Sequence, residues 1–91
     1  MQINQLAKDH IEFCQSKGLP VEKIDLIFLI ERIQKEAQEA REAHREGNME
    51  HVQEELVDVL LQTIQALAVI DPDLESAIKK KIIINRDRTW E

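Results

Sequence analysis

Apolar residues along this chain recur at intervals of three and four rather than in alternation, so the pattern predicts helices and no strands. Residues 2–17 form the first helix, with Ile3, Leu6, Ala7, His10 and Cys14 on one stripe and Phe13 at its edge. Gly18 stops it, and Leu19-Pro20 cannot simply continue it. Residues 22–46 form a long second helix ending at Gly47, with Leu29, Ile33, Ala37, Ala40 and Ala43 as its inner face. Asn48 is placed to cap a third helix over residues 49–69. Asp71-Pro72-Asp73 starts a fourth, with Asp71 as N-cap, Pro72 at the first helical position and Asp73 at the second, and it runs from 72 to about 87. The expected fold is all-α, a four-helix subunit of two long central antiparallel helices plus N- and C-terminal helices. It forms a single domain over residues 1–91.

Two of these helices carry more than a simple inner stripe. On the third, Val52, Leu56, Val57, Val59, Leu60, Leu61 and Ile64 begin a belt that covers well over half the circumference. A surface helix needs an apolar stripe only a little over ~100° wide. In so short a chain the cover expected for the rest is a second subunit. What stays polar is a narrow strip of His51, Glu54, Glu55, Asp58, Gln62 and Gln65, which faces either a polar cleft or water. On the fourth helix, Leu74, Ala77 and Ile78 mark the inward face, and the same face continues as Lys81, Asn85 and Arg88. A face that turns from apolar to cationic points towards something anionic, or is a solvated basic end that suits the helix dipole. Ile82-Ile83-Ile84 wraps around this helix and again suggests an intersubunit contact.

Charge and composition narrow the function. A formal net charge of −6 argues against a nucleic-acid polymer or an anionic membrane as partner, and is compatible with bound cations. Cys14 is the single cysteine, so no intrachain disulfide is possible and a reducing cytoplasm is the expected location. No apolar run approaches the ~18–20 residues of a membrane span, and Met1-Gln2-Ile3-Asn4 does not open a signal peptide.

The candidate chemistry lies in two acidic pairs. Glu36 and Glu39 are three apart on the second helix, and Glu55 and Asp58 are three apart on the third, so each pair shares a helix face. Four oxygen ligands converging between antiparallel helices would suit a hard divalent cation such as Mg²⁺, with the Lys81, Asn85 and Arg88 face offering donors to phosphate oxygens. The alternative is two ordinary solvated faces, with Glu36 and Glu39 paired to Arg32 and Lys35. An unfilled cluster should raise the pKa of some of its carboxyls. Other site types lack their residues. None of His10, His44 and His51 follows a Glu at the Glu-x-x-His spacing of di-iron bundles. There is no His-Glu-x-x-His, no paired-cysteine zinc motif, no Gly-rich phosphate loop and no Gly-x-Ser-x-Gly. Cys14 sits on an apolar stripe, which suits packing better than nucleophilic catalysis. His10, in the middle of that stripe, is either a partly buried structural histidine or one that faces a ligand pocket.

Glu36-x-x-Glu39, a gap of fifteen residues, Glu55-x-x-Asp58 and then Lys81-x-x-x-Asn85-x-x-Arg88-x-Trp90 together resemble the MazG-like branch of the all-α nucleoside triphosphate pyrophosphohydrolases, over roughly residues 22–90. The resemblance implies hydrolysis of a (deoxy)nucleoside triphosphate to the monophosphate and pyrophosphate, as house-cleaning of noncanonical or surplus dNTPs. It implies Mg²⁺, with Mn²⁺ as a substitute, held by Glu36, Glu39, Glu55 and Asp58. Either Glu39 or another of these acids would orient or deprotonate the attacking water. Lys81 and Asn85, with Arg88 as a further candidate, would contact the substrate's phosphate or sugar, and His10 belongs with the candidate substrate-binding groups. The resemblance also implies a homodimer, or a homotetramer built as a dimer of dimers. Two departures stand out. Lys35 precedes Glu36 where many relatives carry consecutive glutamates, and Gln62 stands where several have an aromatic one turn after the acidic Asp. The rival expectation is a non-catalytic helical interaction module whose acidic strip binds a basic surface.

Overall fold

In the computed structural model, which describes residues 2–88, four α-helices follow one another and no strand occurs among the described residues. They are α1 (Ile3–Ser16), α2 (Leu26–Arg45), α3 (Met49–Ile70) and α4 (Leu74–Arg86). Trp90 lies outside the described residues. No described helix is long and apolar enough to cross a membrane.

The helix ends obey local chemistry. Gly18 (φ 68°) and Gly47 (φ 74°) take the left-handed conformation that ends a helix at no steric cost, and the amides of Leu19 and Asn48 close back onto the carbonyls of Cys14 and Ala43. The Asn48 side chain accepts from the His51 amide at 3.1 Å and caps α3, as its position in the sequence suggests. Two boundaries differ from expectation. The first turn of the anticipated second helix is a separate 3₁₀ turn (Lys23–Asp25), held by reciprocal capping between Glu22 and Asp25. The N-cap of α4 is Asp73 rather than Asp71. Asp73 accepts from the amide of Ser76, three residues on, at 3.2 Å, whereas Asp71 spends its carboxylate on the Asp73 amide at 2.9 Å.

α2 and α3 form a tight antiparallel hairpin across Gly47, and α1 and α4 close on the C-terminal half of α3. Ala7, Ile64 and Leu74 are the centre of the core, with Ile3, Leu67, Ala68 and Ile78 packed round them. On α2 the buried residues are Leu29, Ala40 and Ala43. Ala37, expected on that inner face, is exposed. The true stripe steps 29–33–36–40–43, a three–four alternation that puts Glu36, not Ala37, against α3. Leu6 and Ala77 are likewise exposed, because α1 and α4 meet their neighbours along seams narrower than their apolar stripes. The belt on α3 is only partly covered within the subunit: Leu56 and Leu60 each remain 53% exposed.

Candidate metal centre and adjoining cleft

Ala40 and Ala43, both buried, let α2 and α3 approach closely at the Gly47 end, and one turn further along each helix the carboxylates meet. One carboxylate oxygen from each of Glu36, Glu39 and Glu55 lies within 4.8 Å of the others. The side chains of Glu36 and Glu55 keep only 13% and 14% of their exposure, so these charges are largely withdrawn from water. Glu55 Oε1 lies 3.0 Å from His51 Nε2, while Glu55 Oε2 is buried without a hydrogen-bond partner. Glu36 Oε1 accepts from Gln62 Nε2 at 3.4 Å and stands 3.8 Å from the Arg32 guanidinium.

Burial, then contact with Glu55 and Glu39, then the charge of Asp58, push the Glu36 carboxyl up to about 7. Glu55 moves the other way: the Glu36 carboxyl beside it holds it below the ordinary carboxylate value, with help from His51. One proton is therefore retained at this pair near neutrality, as expected where like charges are held together without a cation. The arrangement fits a hard divalent cation: oxygen donors from two helices, mutual repulsion that a cation would relieve, and a buried Glu55 oxygen with no hydrogen-bond partner.

The other candidates fall elsewhere. Asp58 is exposed and outside the trio, though its charge still reaches Glu36. Glu54 is exposed. Lys81 and Asn85 stand on the C-terminal half of α4 and Arg88 just beyond it, Asn85 half-buried and the two cations exposed.

Asp58 instead borders a cleft of about 370 Å³ between α1 and the hairpin. α1 contributes His10 and Phe13 to it, α2 contributes Phe28 and Arg32, and α3 contributes Asp58 and Gln62. Lys81, Asn85 and Arg88 are not among its walls. His10 and Phe13 stack, with ring centroids 6.3 Å apart, and the Arg32 guanidinium sits 5.8 Å from the centre of the Phe28 ring. Deeper in, the buried Gln65 donates from Nε2 to the Pro20 carbonyl, which ties the loop after α1 to α3. His10 is half-buried with its Nε2 3.7 Å from Cys14 Sγ, and the same residue forms part of the cleft wall, so both readings of it have an observation behind them. Cys14 is buried, and burial raises its thiol pKa, so it behaves as a core residue.

Phe28, Arg32 and Gln62 have no place among the site residues read from the sequence. The signal was present as spacing: Phe28, Arg32 and Glu36 succeed one another at i, i+4, i+8 on one face of α2, and Asp58, Gln62 and Gln65 at i, i+4, i+7 on α3. What could not be read was that α1 docks opposite both rows.

A family model described as the MazG nucleotide pyrophosphohydrolase domain matches residues 26–88, from the first residue of α2 to just past α4. No curated protein and no solved structure matches the chain.

Proposed function

Because this chain belongs to the MazG nucleotide pyrophosphohydrolase family, we propose that it is an Mg²⁺-dependent enzyme that hydrolyses (deoxy)nucleoside triphosphates to the monophosphate and pyrophosphate, clearing noncanonical or surplus dNTPs. The observation that carries this reading is the Glu36, Glu39 and Glu55 trio, with its orphaned carboxylate oxygen, beside a cleft of nucleotide size. Small-molecule sites span ~300–1,000 Å³, and the cleft falls in that range.

Glu36, Glu39 and Glu55 would hold the ion, together with Asp58, whose charge already bears on Glu36. When bound, the ion supplies charge stabilisation for the triphosphate oxygens, and Mn²⁺ would serve in place of Mg²⁺. Glu39 orients the attacking water and takes its proton. With the ion bound, Glu36 would be held as the carboxylate, its proton released to solvent. At the end of α4, Lys81 and Arg88 would neutralise phosphate oxygens and the neutral Asn85 would hydrogen-bond to phosphate or sugar, while His10 borders the nucleoside end. The single buried thiol of Cys14 suits a cytoplasmic enzyme.

The working form is a homodimer or a dimer of dimers. Two observations support this. Leu56 and Leu60 on α3, and Ile82, Ile83 and Ile84 on α4, are exposed apolar residues that a monomer would leave to water. The radius of gyration, 14.8 Å, also exceeds the ~12 Å expected of a compact chain of this length.

The test is release of pyrophosphate from a panel of dNTPs with and without Mg²⁺ or Mn²⁺. Cation-dependent formation of pyrophosphate and monophosphate in equal amounts is expected. If no nucleotide in the panel yields pyrophosphate with either ion, the reading is wrong.

A further inference from the structure

The cleft and the carboxylate centre meet at Arg32, Asp58 and Gln62. All three form part of the cleft wall, and each bears on Glu36: Gln62 by a hydrogen bond, Arg32 as an ion pair and Asp58 through its charge. Arg32 brings the opposite sign. It is the only lysine or arginine among the described residues that line the cleft, whereas Lys81 and Arg88 at the end of α4 are not part of that wall. Two contacts locate its guanidinium. It stands 5.8 Å from the centre of the Phe28 ring on one side, and its Nη2 lies 3.8 Å from Glu36 Oε1 on the other. At that length the ion pair is not a hydrogen bond, and half of the Arg32 side chain is exposed, so its planar fork of N–H donors can turn to a ligand.

We propose that Arg32 binds the phosphate that adjoins the sugar of the nucleotide, donating from its guanidinium fork to two of that phosphate's oxygens. This rests on the nucleotide reading above and deepens it. The order of groups along α2 decides which part of a nucleotide is meant. Glu36 lies at the cation end, Arg32 one turn from it and Phe28 two turns, about 6 and 12 Å of helical rise. A nucleotide whose triphosphate is anchored at the carboxylates, and whose base lies with Phe13 and Phe28, carries its sugar-linked phosphate between the two, level with Arg32. Arginine has donors only and keeps its charge, and its fork matches a pair of phosphate oxygens. Asp58 on the α3 wall adds a second reason: a phosphate in the cleft meets that negative charge, and Arg32 offsets it. The monophosphate product keeps this phosphate, so the contact is open to measurement without turnover.

The experiment is calorimetric binding of deoxynucleoside monophosphates, with Mg²⁺ present, to the native protein, Arg32→Gln and Arg32→Lys, beside binding of Mn²⁺ without nucleotide. Arg32→Gln should weaken the monophosphate that the native protein binds best by about ten- to a hundredfold, the scale of hydrogen bonds to a charged group. Arg32→Lys, which keeps the charge and loses the fork, should fall between the two. Mn²⁺ affinity should not fall in either variant, since a cation near the centre repels the ion. Undiminished monophosphate binding in Arg32→Gln would overturn the proposal. So would equal losses in the glutamine and lysine variants, which would make Arg32 a packing element of the wall. A loss of Mn²⁺ affinity of about ten- to a hundredfold, the scale on which a residue orienting a metal ligand acts, would overturn it too. A native protein that hydrolyses dNTPs and leaves their monophosphates unbound has the same meaning. In all four cases the native protein still releases pyrophosphate and the enzymatic reading stands. If it neither binds a monophosphate nor hydrolyses any dNTP, the enzymatic reading falls and this inference with it.

Discussion

Glu36, Glu39 and Glu55 converge from two helices joined by a single tight turn, whereas the cleft beside them is completed by α1, which arrives through the loop containing Pro20. The centre is polar, withdrawn from water and strained by its own charge. The cleft is largely apolar and aromatic, and its long-range fastening is the Gln65–Pro20 hydrogen bond across 45 positions. The family match begins at residue 26, takes in Glu36, Glu39, Glu55 and Asp58 together with the α2 and α3 walls of the cleft, and leaves α1 outside. The difference separates a charged centre gathered by one hairpin from a cleft that needs a third helix to complete it. A hairpin of fixed helical spacing suffices to gather the acids. A docked helix shapes what lies alongside.

The sharpest way to break the comparison is to neutralise one acid at a time. Glu36→Gln should lower kcat for pyrophosphate release by about a thousandfold, the scale of losing a principal charge-organising group. Asp58→Asn, which removes an exposed carboxylate outside the trio, should cost about ten- to a hundredfold. Steady-state kinetics at saturating Mg²⁺ would read both. If Asp58→Asn proves as damaging as Glu36→Gln, the trio alone is not the centre.

On the other side of the comparison, Phe28→Ala should raise KM by about tenfold with little change in kcat, since it removes a ring beside the base but no group near the phosphates. A fall in kcat equal to that of Glu36→Gln would show that the two parts are not separable.

The smallest effect expected is on stability. Glu36 keeps its proton up to about 7 in the folded chain, against 4.5 for an ordinary glutamate in the unfolded one. The stability tied to its protonated form is therefore fully present below pH 4.5 and is lost as pH rises through 7. Metal-free protein should melt several degrees lower at pH 8 than at pH 5, and added Mg²⁺ should recover the difference at pH 8, because a ligand that binds only the folded state raises its stability. In Glu36→Gln the pH dependence should flatten. Thermal melts at both pH values, with and without the ion, measure it. A native melting temperature that climbs between pH 5 and pH 8 without the ion would contradict the retained proton.

The four helices, the stops at Gly18 and Gly47, the cap at Asn48 and the two acidic pairs were all legible in the chain, because each rests on spacing or on a short-range hydrogen bond. The start of α4 was misassigned by two residues, since Asp71 and Asp73 are equally good caps until one sees that Asp71 is spent on the turn itself. Tertiary packing alone decided three things: that Glu55, rather than Asp58, closes on Glu36 and Glu39; that His10 borders a cleft; and that Gln62 spans cleft and centre. The physical reason is range. Helical periodicity says which side chains share a face, but the rotation at which α1 and α3 meet α2 is set by packing among residues far apart in sequence. That rotation determines which of two neighbouring carboxylates is drawn in and which is left to the water.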